Sequence, residues 1–299
     1  MTMANIKTAA VIGTPIHHSL SPYLHEFWLK EMGINGQYTR IEVTASGLAD
    51  FMHNLPSSHL KGINITIPHK QAALEFCDTI DATAKKVGAV NTVWIGDDNK
   101  LHATNSDVYG FRCNLSAHVA FQNMPKRTAV VLGAGGAARA VICALQEIGF
   151  AHIKIANRTM VRAEQLADDM MGLASNADNA SSITVHAFEN ISDILHDADL
   201  LVNTTSLGMA TSTKQQDHTN IDFLNFNSLP PHAIVTDIVY TPLITPFLER
   251  ASACGYYTID GLGMLLYQAI PGFQKWFSPP RTPNVSDALR AHMIAQLSG

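Results

Sequence analysis

Short apolar runs alternate with amphipathic stretches along the first third of the chain, a pattern typical of strand and helix units. The runs that we predict as strands are TAAVIG (8–13), QYTRIEV (37–43), INITI (63–67), AVNTVWI (89–95) and KLHATN (100–105). The turn sequence GDDN (96–99) separates the last two and predicts one hairpin. This part of the chain is therefore expected to form a mainly parallel α/β domain.

A second series of apolar runs predicts a second α/β domain, with a mainly parallel sheet and helices on both faces. Its strands are TAVVLG (128–133), HIKIA (152–156), ITVHAF (183–188), DLLVNT (199–204), AIVTDIVY (233–240) and YYTID (256–260). A helix from Asp107 to about Ala120, followed by the breaker MPKR (124–127), is predicted to connect the domains. The polar stretches 174–182 and 211–220 are predicted as surface loops.

Length and composition agree with a globular protein of two domains. A chain of 299 residues exceeds the usual size of one compact domain, and 46% of its residues are hydrophobic and 15% charged. A net charge of −5 argues against a nucleic-acid partner. Four scattered cysteines without a CxxC pair, no leader-like N-terminus and no apolar stretch of about 18 residues favour a reduced cytoplasmic protein outside the membrane. None of the fourteen histidines has the spacing of a metal site, so no metal is expected.

The glycine-rich segment GAGGAARA (133–140) has the context of a dinucleotide-binding turn, because it follows an apolar strand and opens a predicted helix that runs to about Ile148. Gly133 permits the tight turn, Gly135 lets the backbone approach a pyrophosphate, and Ala137 or Ala138 allows close helix packing. The alternative is a glycine-rich turn with no ligand.

Arg158 is the candidate for choosing between the two nicotinamide cofactors. About twenty residues after the glycines, where NAD sites place an acidic residue, the next strand ends in Asn157, Arg158 and Thr159. A guanidinium there pairs with a 2′-phosphate, and Arg162, four residues later, is expected to face the same phosphate. This favours NADP over NAD. The alternative for both arginines is a solvated surface position.

Two serines follow the first predicted strand in HHSLSPYLHEF (17–27). Pro22 suits the first position of a helix and Ser21 its N-cap. Ser19 and Ser21 would then place two hydroxyls at a helix N-terminus, which suits a carboxylate ligand. The alternative is that Ser21 merely caps the helix and that Ser19 has no ligand.

Lys70 and Asp107 are the candidates for proton transfer. The proline in GINITIPHK (62–70) ends a strand and places Lys70 at the carboxyl edge of the sheet, where open α/β sheets bind ligands. Asn91, Asn105 and Asp107 lie at the ends of the hairpin strands. An ammonium beside a carboxylate can protonate the alkoxide that forms when hydride reaches a carbonyl. The alternatives are a surface lysine, and turn or capping roles for the other three.

Taken together, the motifs resemble the shikimate/quinate dehydrogenase family over nearly the whole chain. The matching segments are PIHHSLSP (15–22), GINITIPHK (62–70), GAVNT (88–92), NSD (105–107), GAGGAARA (133–140), NRTMVRAEQL (157–166), NTTSLGM (203–209), DIVYTPLITPFL (237–248) and DGLGMLLYQA (260–269). The resemblance implies reversible NADPH-dependent reduction of 3-dehydroshikimate to shikimate, on the route to chorismate and the aromatic amino acids. It also implies a substrate domain of residues 1–107, completed by a helical segment at 262–299, and a Rossmann-like NADP domain of residues 108–261.

The resemblance also implies roles for single residues. Lys70 and Asp107 are the catalytic pair. The expected substrate contacts are Ser19, Ser21 and Tyr240 for the carboxylate, and Thr66, Lys70, Asn91, Asp107 and Gln268 for the ring hydroxyls and carbonyl. The expected NADP contacts are Gly133, Ala134, Gly135, Gly136, Ala137, Asn157, Arg158, Thr159, Arg162, Thr204, Ile238 and Gly261.

The chain departs from the family pattern in two places. His17 stands where alanine is frequent, and NSDVYG (105–110) stands for NTDGxG, so that Ser106 keeps a hydroxyl and Val108 replaces a glycine. Two alternatives remain. An NAD-using quinate/shikimate dehydrogenase would want an acidic residue near Arg158, and a non-catalytic NADP-binding paralogue would not need Lys70. The oligomeric state stays open, a homodimer included.

Overall fold

The computed structural model describes residues 6–172, 181–208 and 223–297. The chain divides into two compact units, Met1–Gly110 with Leu266–Gly299, and Phe111–Leu265. The predicted domain boundaries fall a few residues before these, and the assignment of one domain to substrate and the other to cofactor stays a prediction. The predicted loop at 211–220 and most of the one at 174–182 lie outside the described residues.

The first unit contains a six-stranded mixed sheet. Its strands are β1 (Lys7–Gly13), β2 (Gly36–Glu42), β3 (Leu60–Ile65), β4 (Thr79–Ile80), β5 (Thr92–Ile95) and β6 (Leu101–Thr104), in the spatial order β2-β1-β3-β5-β6-β4. The β1–β2, β1–β3 and β4–β6 pairs are parallel, whereas β5 pairs antiparallel with β3 and with β6. The predicted hairpin is therefore confirmed. The sequence pattern does not predict β4, because two residues carry no periodic signal.

The second unit contains a parallel sheet. Its strands are β7 (Thr128–Leu132), β8 (His152–Asn157), β9 (Ser182–Ala187), β10 (Leu200–Asn203), β11 (Ile234–Asp237) and β12 (Tyr257–Ile259), in the order β12-β11-β10-β7-β8-β9. Every pair is parallel. The strand order reverses between β7 and β10, which is the switch point where dinucleotides bind in Rossmann sheets.

Helices follow the strands in both units. The first unit has α1 (Ser21–Glu31), α2 (Leu48–Asn54), α3 (Ala82–Val87) and α11 (Asp287–Leu297), and the boundaries between units fall within α4 (Ser106–Ser116) and α10 (Leu262–Phe277). The second unit has α5 (Val119–Gln122), α6 (Gly136–Ile148), α7 (Met160–Gly172), α8 (Ile191–Ile194) and α9 (Pro246–Ala253). The predicted helix ending at Ile148 is confirmed as α6. Among these helices, none has the length and apolar character needed to cross a membrane.

One predicted helix was too long. The continuous helix expected from Asp107 to about Ala120 ends at Ser116, and α5 is a separate short helix. His118, between them, has an extended backbone (φ −101°, ψ 123°), which interrupts the helical hydrogen bonding. Its ring nitrogen Nδ1 lies 3.0 Å from the Tyr257 hydroxyl. A long-range side-chain contact thus accompanies a break that the local sequence pattern does not signal.

Candidate active site

The carboxyl ends of β1 and β3 meet closely at one edge of the first sheet. A Cβ on Gly13 would lie 2.5 Å from Thr66 Cγ2 and 2.9 Å from the Ile67 carbonyl oxygen, so only glycine fits there. The backbone N–H of Thr66 donates to the Ile12 carbonyl at 2.9 Å. Since Ser19 and Ser21 follow β1 and Lys70 follows β3, this contact holds two of the predicted site segments side by side.

Lys70 and Asp107 form an ion pair, as their positions at strand ends suggest. The Lys70 Nζ donates to Asp107 Oδ2 at 2.6 Å, and Asn91 Nδ2 donates to Asp107 Oδ1 at 2.8 Å. The side chains of Lys70 and Asp107 are 31% and 14% exposed, so the ion pair is partly buried but still accessible to a ligand. Asn105 Oδ1 accepts from the Asp107 backbone N–H at 3.1 Å and fixes the first turn of α4. The carboxylate is thus oriented from both sides.

A layer of hydroxyls and amides holds Asn91 in turn. Asn91 Oδ1 accepts from the Ser106 backbone N–H at 2.8 Å and from the hydroxyls of Ser106 and Thr92, each at 3.1 Å. These donors leave only the Asn91 amide nitrogen to face Asp107. The Ser106 Oγ also lies 3.5 Å from Gln268 Oε1. Ser106, which replaces a threonine of the family pattern, therefore keeps a hydrogen-bonding role.

The two serines lie at the start of α1, but Ser21 is not its N-cap. Leu20 occupies that position with helical backbone angles, Ser21 is the first helical residue, and Pro22 follows it. Ser21 is buried, and the helix has no side-chain cap hydrogen bond. Burial raises the pKa of Tyr38, and the nearby Ser21 side chain offsets part of that shift. The Ser21 backbone N–H lies 3.4 Å from Ser19 Oγ. The predicted cap is therefore wrong, because the helix begins one residue earlier than a cap at Ser21 requires.

The first unit brings together seven of the predicted substrate contacts: Ser19, Ser21, Thr66, Lys70, Asn91, Asp107 and Gln268. Tyr240 belongs to the second unit, in the segment after β11, where burial raises the pKa of its phenol. Sequence reasoning missed Tyr38 and Asn64, which lie within strands. The Tyr38 hydroxyl donates to Asn64 Oδ1 at 2.6 Å, and Asn64 Nδ2 donates to the Asn91 carbonyl at 3.0 Å.

In the second unit, the glycine-rich turn after β7 has the geometry that a pyrophosphate needs. Gly133 has φ +104°, a left-handed conformation, and a Cβ there would lie 2.9 Å from Thr204 Oγ1. Cβ atoms on Gly135 and Gly136 would meet nothing within 4 Å, so the backbone is open to an approaching ligand. Gly135 caps α6 without a side-chain hydrogen bond, which leaves the first N–H groups of the helix for an anion. Ala138 is fully buried, in agreement with close helix packing.

The segment after β8 fits a 2′-phosphate. Asn157 Nδ2 donates to the Thr159 carbonyl at 2.8 Å, and the Arg162 backbone N–H donates to the same carbonyl at 3.2 Å. This turn leaves the side chains of Arg158 and Arg162 exposed, and neither has an ion-pair partner in the described part of the chain. Two unpaired guanidinium groups within one turn are suited to a phosphate.

The remaining predicted cofactor contacts border the same edge of the second sheet. The Thr204 hydroxyl donates to the Leu132 carbonyl at 2.7 Å, next to Gly133. A Cβ on Gly261 would overlap the Ile238 carbonyl, so the backbone after β12 lies directly against the segment after β11. Ala134 and Ala137 are half-buried on the glycine-rich turn. The residues present therefore fit a bound dinucleotide.

Fold and site together define a class, a nicotinamide-dependent α/β oxidoreductase, with a lysine–aspartate ion pair in one unit and a glycine-rich turn that fits a dinucleotide in the other. Residues 11–93 match the family described as shikimate dehydrogenase substrate binding domain, and residues 116–263 match shikimate / quinate 5-dehydrogenase. The chain belongs to the shikimate/quinate dehydrogenase family.

Three similar proteins illustrate the range of this family. The shikimate dehydrogenase (NADP(+)) of Bartonella tribocorum is 45% identical over 97% of this chain and 94% of its own. A Thermus thermophilus shikimate 5-dehydrogenase, solved with NADP(H) and shikimate, is 31% identical with a TM-score of 0.77, covering 98% of this chain and 99% of its own. A Corynebacterium glutamicum quinate dehydrogenase, solved with NAD, is 28% identical with a TM-score of 0.85, covering 98% and 99%.

Proposed function

We propose that this chain catalyses the reversible NADPH-dependent reduction of 3-dehydroshikimate to shikimate, the step that precedes the later reactions leading to chorismate. The observation that carries the proposal is the Lys70–Asp107 ion pair, held by Asn91 at the edge of the first sheet. The similar proteins named as NADP-dependent shikimate dehydrogenases support this substrate and cofactor.

When bound, NADPH supplies the hydride. The proposed proton donor is the Lys70 ammonium, which protonates the oxygen of the ring ketone, and Asp107, hydrogen-bonded to it, stabilises and orients the ammonium. In the direction of oxidation the same pair accepts the proton of the hydroxyl. Because the two groups are hydrogen-bonded at 2.6 Å, we take the pair, and not either group alone, as the proposed acid–base unit.

We propose that the substrate carboxylate binds at Ser19 and Ser21, with Tyr240 as a further ligand. The open start of α1 favours an anion there. Thr66, Asn91 and Gln268 supply neutral donors and acceptors for the ring hydroxyls. A polar ring with one carboxylate is thus recognised at one end by an anion site and at the other by the proton-transfer pair.

We propose NADP rather than NAD as the preferred cofactor. Arg158 and Arg162 present positive charge where an NAD enzyme places a carboxylate for the ribose hydroxyls. The quinate dehydrogenase solved with NAD shows that the same fold also occurs with NAD as the cofactor. Neither the NAD-using alternative nor the non-catalytic one is supported by the residues, because Arg158 is basic and Lys70, Asp107 and Gln268 are all present.

The test is a spectrophotometric assay of the purified chain with a panel of two substrates and two cofactors. We expect reduction of NADP with shikimate to be fastest, and reduction of NAD with quinate to be slowest. Faster turnover of quinate with NAD would replace the proposal with the quinate alternative. Binding of NADP without turnover of either substrate would support a non-catalytic role.

We propose that the enzyme acts in the cytoplasm, because all four cysteines are free thiols, as expected in a reducing compartment. Labelling of thiols in intact cells before and after lysis checks the redox state.

Size-exclusion chromatography of the purified chain separates a monomer from the homodimer that the sequence leaves open.

A further inference from the structure

The side chain of Arg40 is hydrogen-bonded to the loop that carries the two serines. It lies on β2, and its Nε and Nη2 both donate to the Ser19 carbonyl oxygen, at 2.9 and 2.6 Å. The Tyr23 ring covers the guanidinium, with Cζ 5.2 Å from the ring centroid. Two donors on one acceptor, with an aromatic ring beside them, fix the position of the guanidinium group.

Arg40 and Tyr38 act on neighbouring serines from the same face of β2. Residues two apart on a strand point to the same side of the sheet. The Ser21 side chain lies near the Tyr38 phenol, and Arg40 donates to the Ser19 backbone carbonyl. The strand thus holds the backbone of Ser19 directly and places an aromatic side chain next to Ser21.

The hydrogen bonds from Arg40 to the Ser19 carbonyl also determine the direction of the Leu20 backbone N–H. The Ser19–Leu20 peptide bond is trans, so its carbonyl oxygen and its N–H point in opposite directions. With the carbonyl turned toward Arg40, the Leu20 N–H is turned away from it, and it has no acceptor among the described residues. This donor lies at the start of α1, between the two serines.

The charge of Arg40 has no carboxylate partner in the part of the chain that the structure describes. Glu42, two residues along β2, instead accepts from the Thr14 hydroxyl at 2.9 Å. Arg40 is half-buried, so its charge is less screened by water than that of an exposed arginine. The positive charge of Arg40 therefore lies next to the serine loop, whose own hydrogen-bond donors are neutral.

We propose that Arg40 is a positioning and specificity residue of the carboxylate site. It holds the Ser19–Leu20 peptide so that its N–H faces the substrate, and its charge makes the site select a carboxylate over a neutral group of the same shape. This inference rests on the proposed function, because it takes Ser19 and Ser21 as the ligands of the substrate carboxylate.

The test compares shikimate with its methyl ester, which has the same ring but no negative charge. Both are assayed with saturating NADP in the wild type, Arg40→Gln and Arg40→Lys. We expect Arg40→Gln to raise KM for shikimate roughly tenfold and KM for the ester clearly less, because both substrates lose the positioned N–H but only the acid loses the attraction of the charge, with kcat little changed. Arg40→Lys keeps the positive charge but loses the planar guanidinium group with its two donors, so it should retain part of the preference for the acid.

Ionic strength gives a second readout. The kcat/KM of the wild type for shikimate should fall with added salt more steeply than that of Arg40→Gln, whereas the ester should show no such difference. The matched control is Arg281→Gln. Arg281 is 53% exposed and pairs with Glu31 at the other end of α1, at 3.3 Å, so both substrates should be unaffected.

The outcomes separate this inference from the proposed function. If the wild type does not turn over shikimate, both are overturned. If the wild type is active and Arg40→Gln slows the acid and the ester equally, or changes neither, only the role of Arg40 is overturned. If Arg40→Gln does not fold, the acid-to-ester preference of Arg40→Lys decides, and a preference equal to that of the wild type with unchanged KM overturns the inference.

Discussion

The Tyr38 hydroxyl and the Asn64 side chain form a 2.6 Å hydrogen bond inside the first unit, and both residues are buried. Asn64 Nδ2 donates to the Asn91 carbonyl and to Thr92 Oγ1, at 3.0 and 3.1 Å. Its Oδ1 is thereby left to accept from Tyr38. A continuous set of hydrogen bonds thus leads from Tyr38 to the residue that orients Asp107.

Tyr38→Phe removes one hydroxyl and leaves the ring in place. We expect the free energy of unfolding to fall by about 1–3 kcal/mol, because Asn64 Oδ1 then lacks its donor in a buried place. Urea denaturation followed by circular dichroism measures the change. Tyr257→Phe is the matched control, since that phenol is 47% exposed and bonds only the surface residue His118 in the described chain. Equal changes in the free energy of unfolding for the two substitutions would show that the buried Tyr38–Asn64 hydrogen bond stabilises the fold no more than an exposed one.

Lys70 carries the proposed proton transfer. Lys70→Ala should reduce kcat roughly 10²–10⁴-fold, the usual contribution of a positioned acid or base, and leave the affinity for NADP near that of the wild type. Lys70→Met keeps the apolar stem and should be equally slow. Lys61→Ala, at an exposed position on β3, is the control. If the folded Lys70 variants turn over shikimate within a few-fold of the wild type, the proton passes through another group.

Arg158 is expected to read the 2′-phosphate. Arg158→Ala should weaken NADP binding by about 1.5–3 kcal/mol, the value of a charge-assisted hydrogen bond, with little change in the binding of NAD. Titration of intrinsic fluorescence with each cofactor gives the two affinities. NAD serves as the internal control because it lacks only the phosphate. A parallel loss for both cofactors would argue for a general effect on the turn after β8.

The sequence pattern predicts most strands and the glycine-rich turn because these features depend on local periodicity. Lys70 and Asp107 were predicted as site residues from their positions near strand ends, whereas Asn91 was assigned to the site by the resemblance to the family. Tyr38, Asn64 and Arg40 have no such signal. Only the sheet register brings them together: Val11 of β1 pairs with Arg40 on one side and Asn64 on the other. Such roles depend on pairing between distant segments, which one sequence does not specify.

Asp237 provides a pH-dependent prediction in the second unit. Its carboxylate accepts hydrogen bonds from Val239 N–H at 2.9 Å, Thr245 Oγ1 at 2.7 Å and Asn203 Nδ2 at 3.0 Å. Burial is nevertheless the larger influence, and it raises the pKa of Asp237 from 3.8 to about 6. The folded protein therefore holds a proton that the unfolded chain releases between these two pH values.

The stabilising effect of that proton is present below the unfolded pKa and is lost as the pH rises through the folded pKa. A shift from 3.8 to about 6 corresponds to about 3 kcal/mol over the whole titration, of which about 2.4 kcal/mol is lost between pH 4 and pH 7. Asp237→Asn removes the titration and keeps a similar shape, so the other ionisable groups cancel when the two proteins are compared. We expect the free energy of unfolding of the wild type, relative to Asp237→Asn, to decrease over this range in urea titrations. A difference that stays constant with pH would show that Asp237 is ionised in the folded protein throughout, with its three hydrogen bonds outweighing burial.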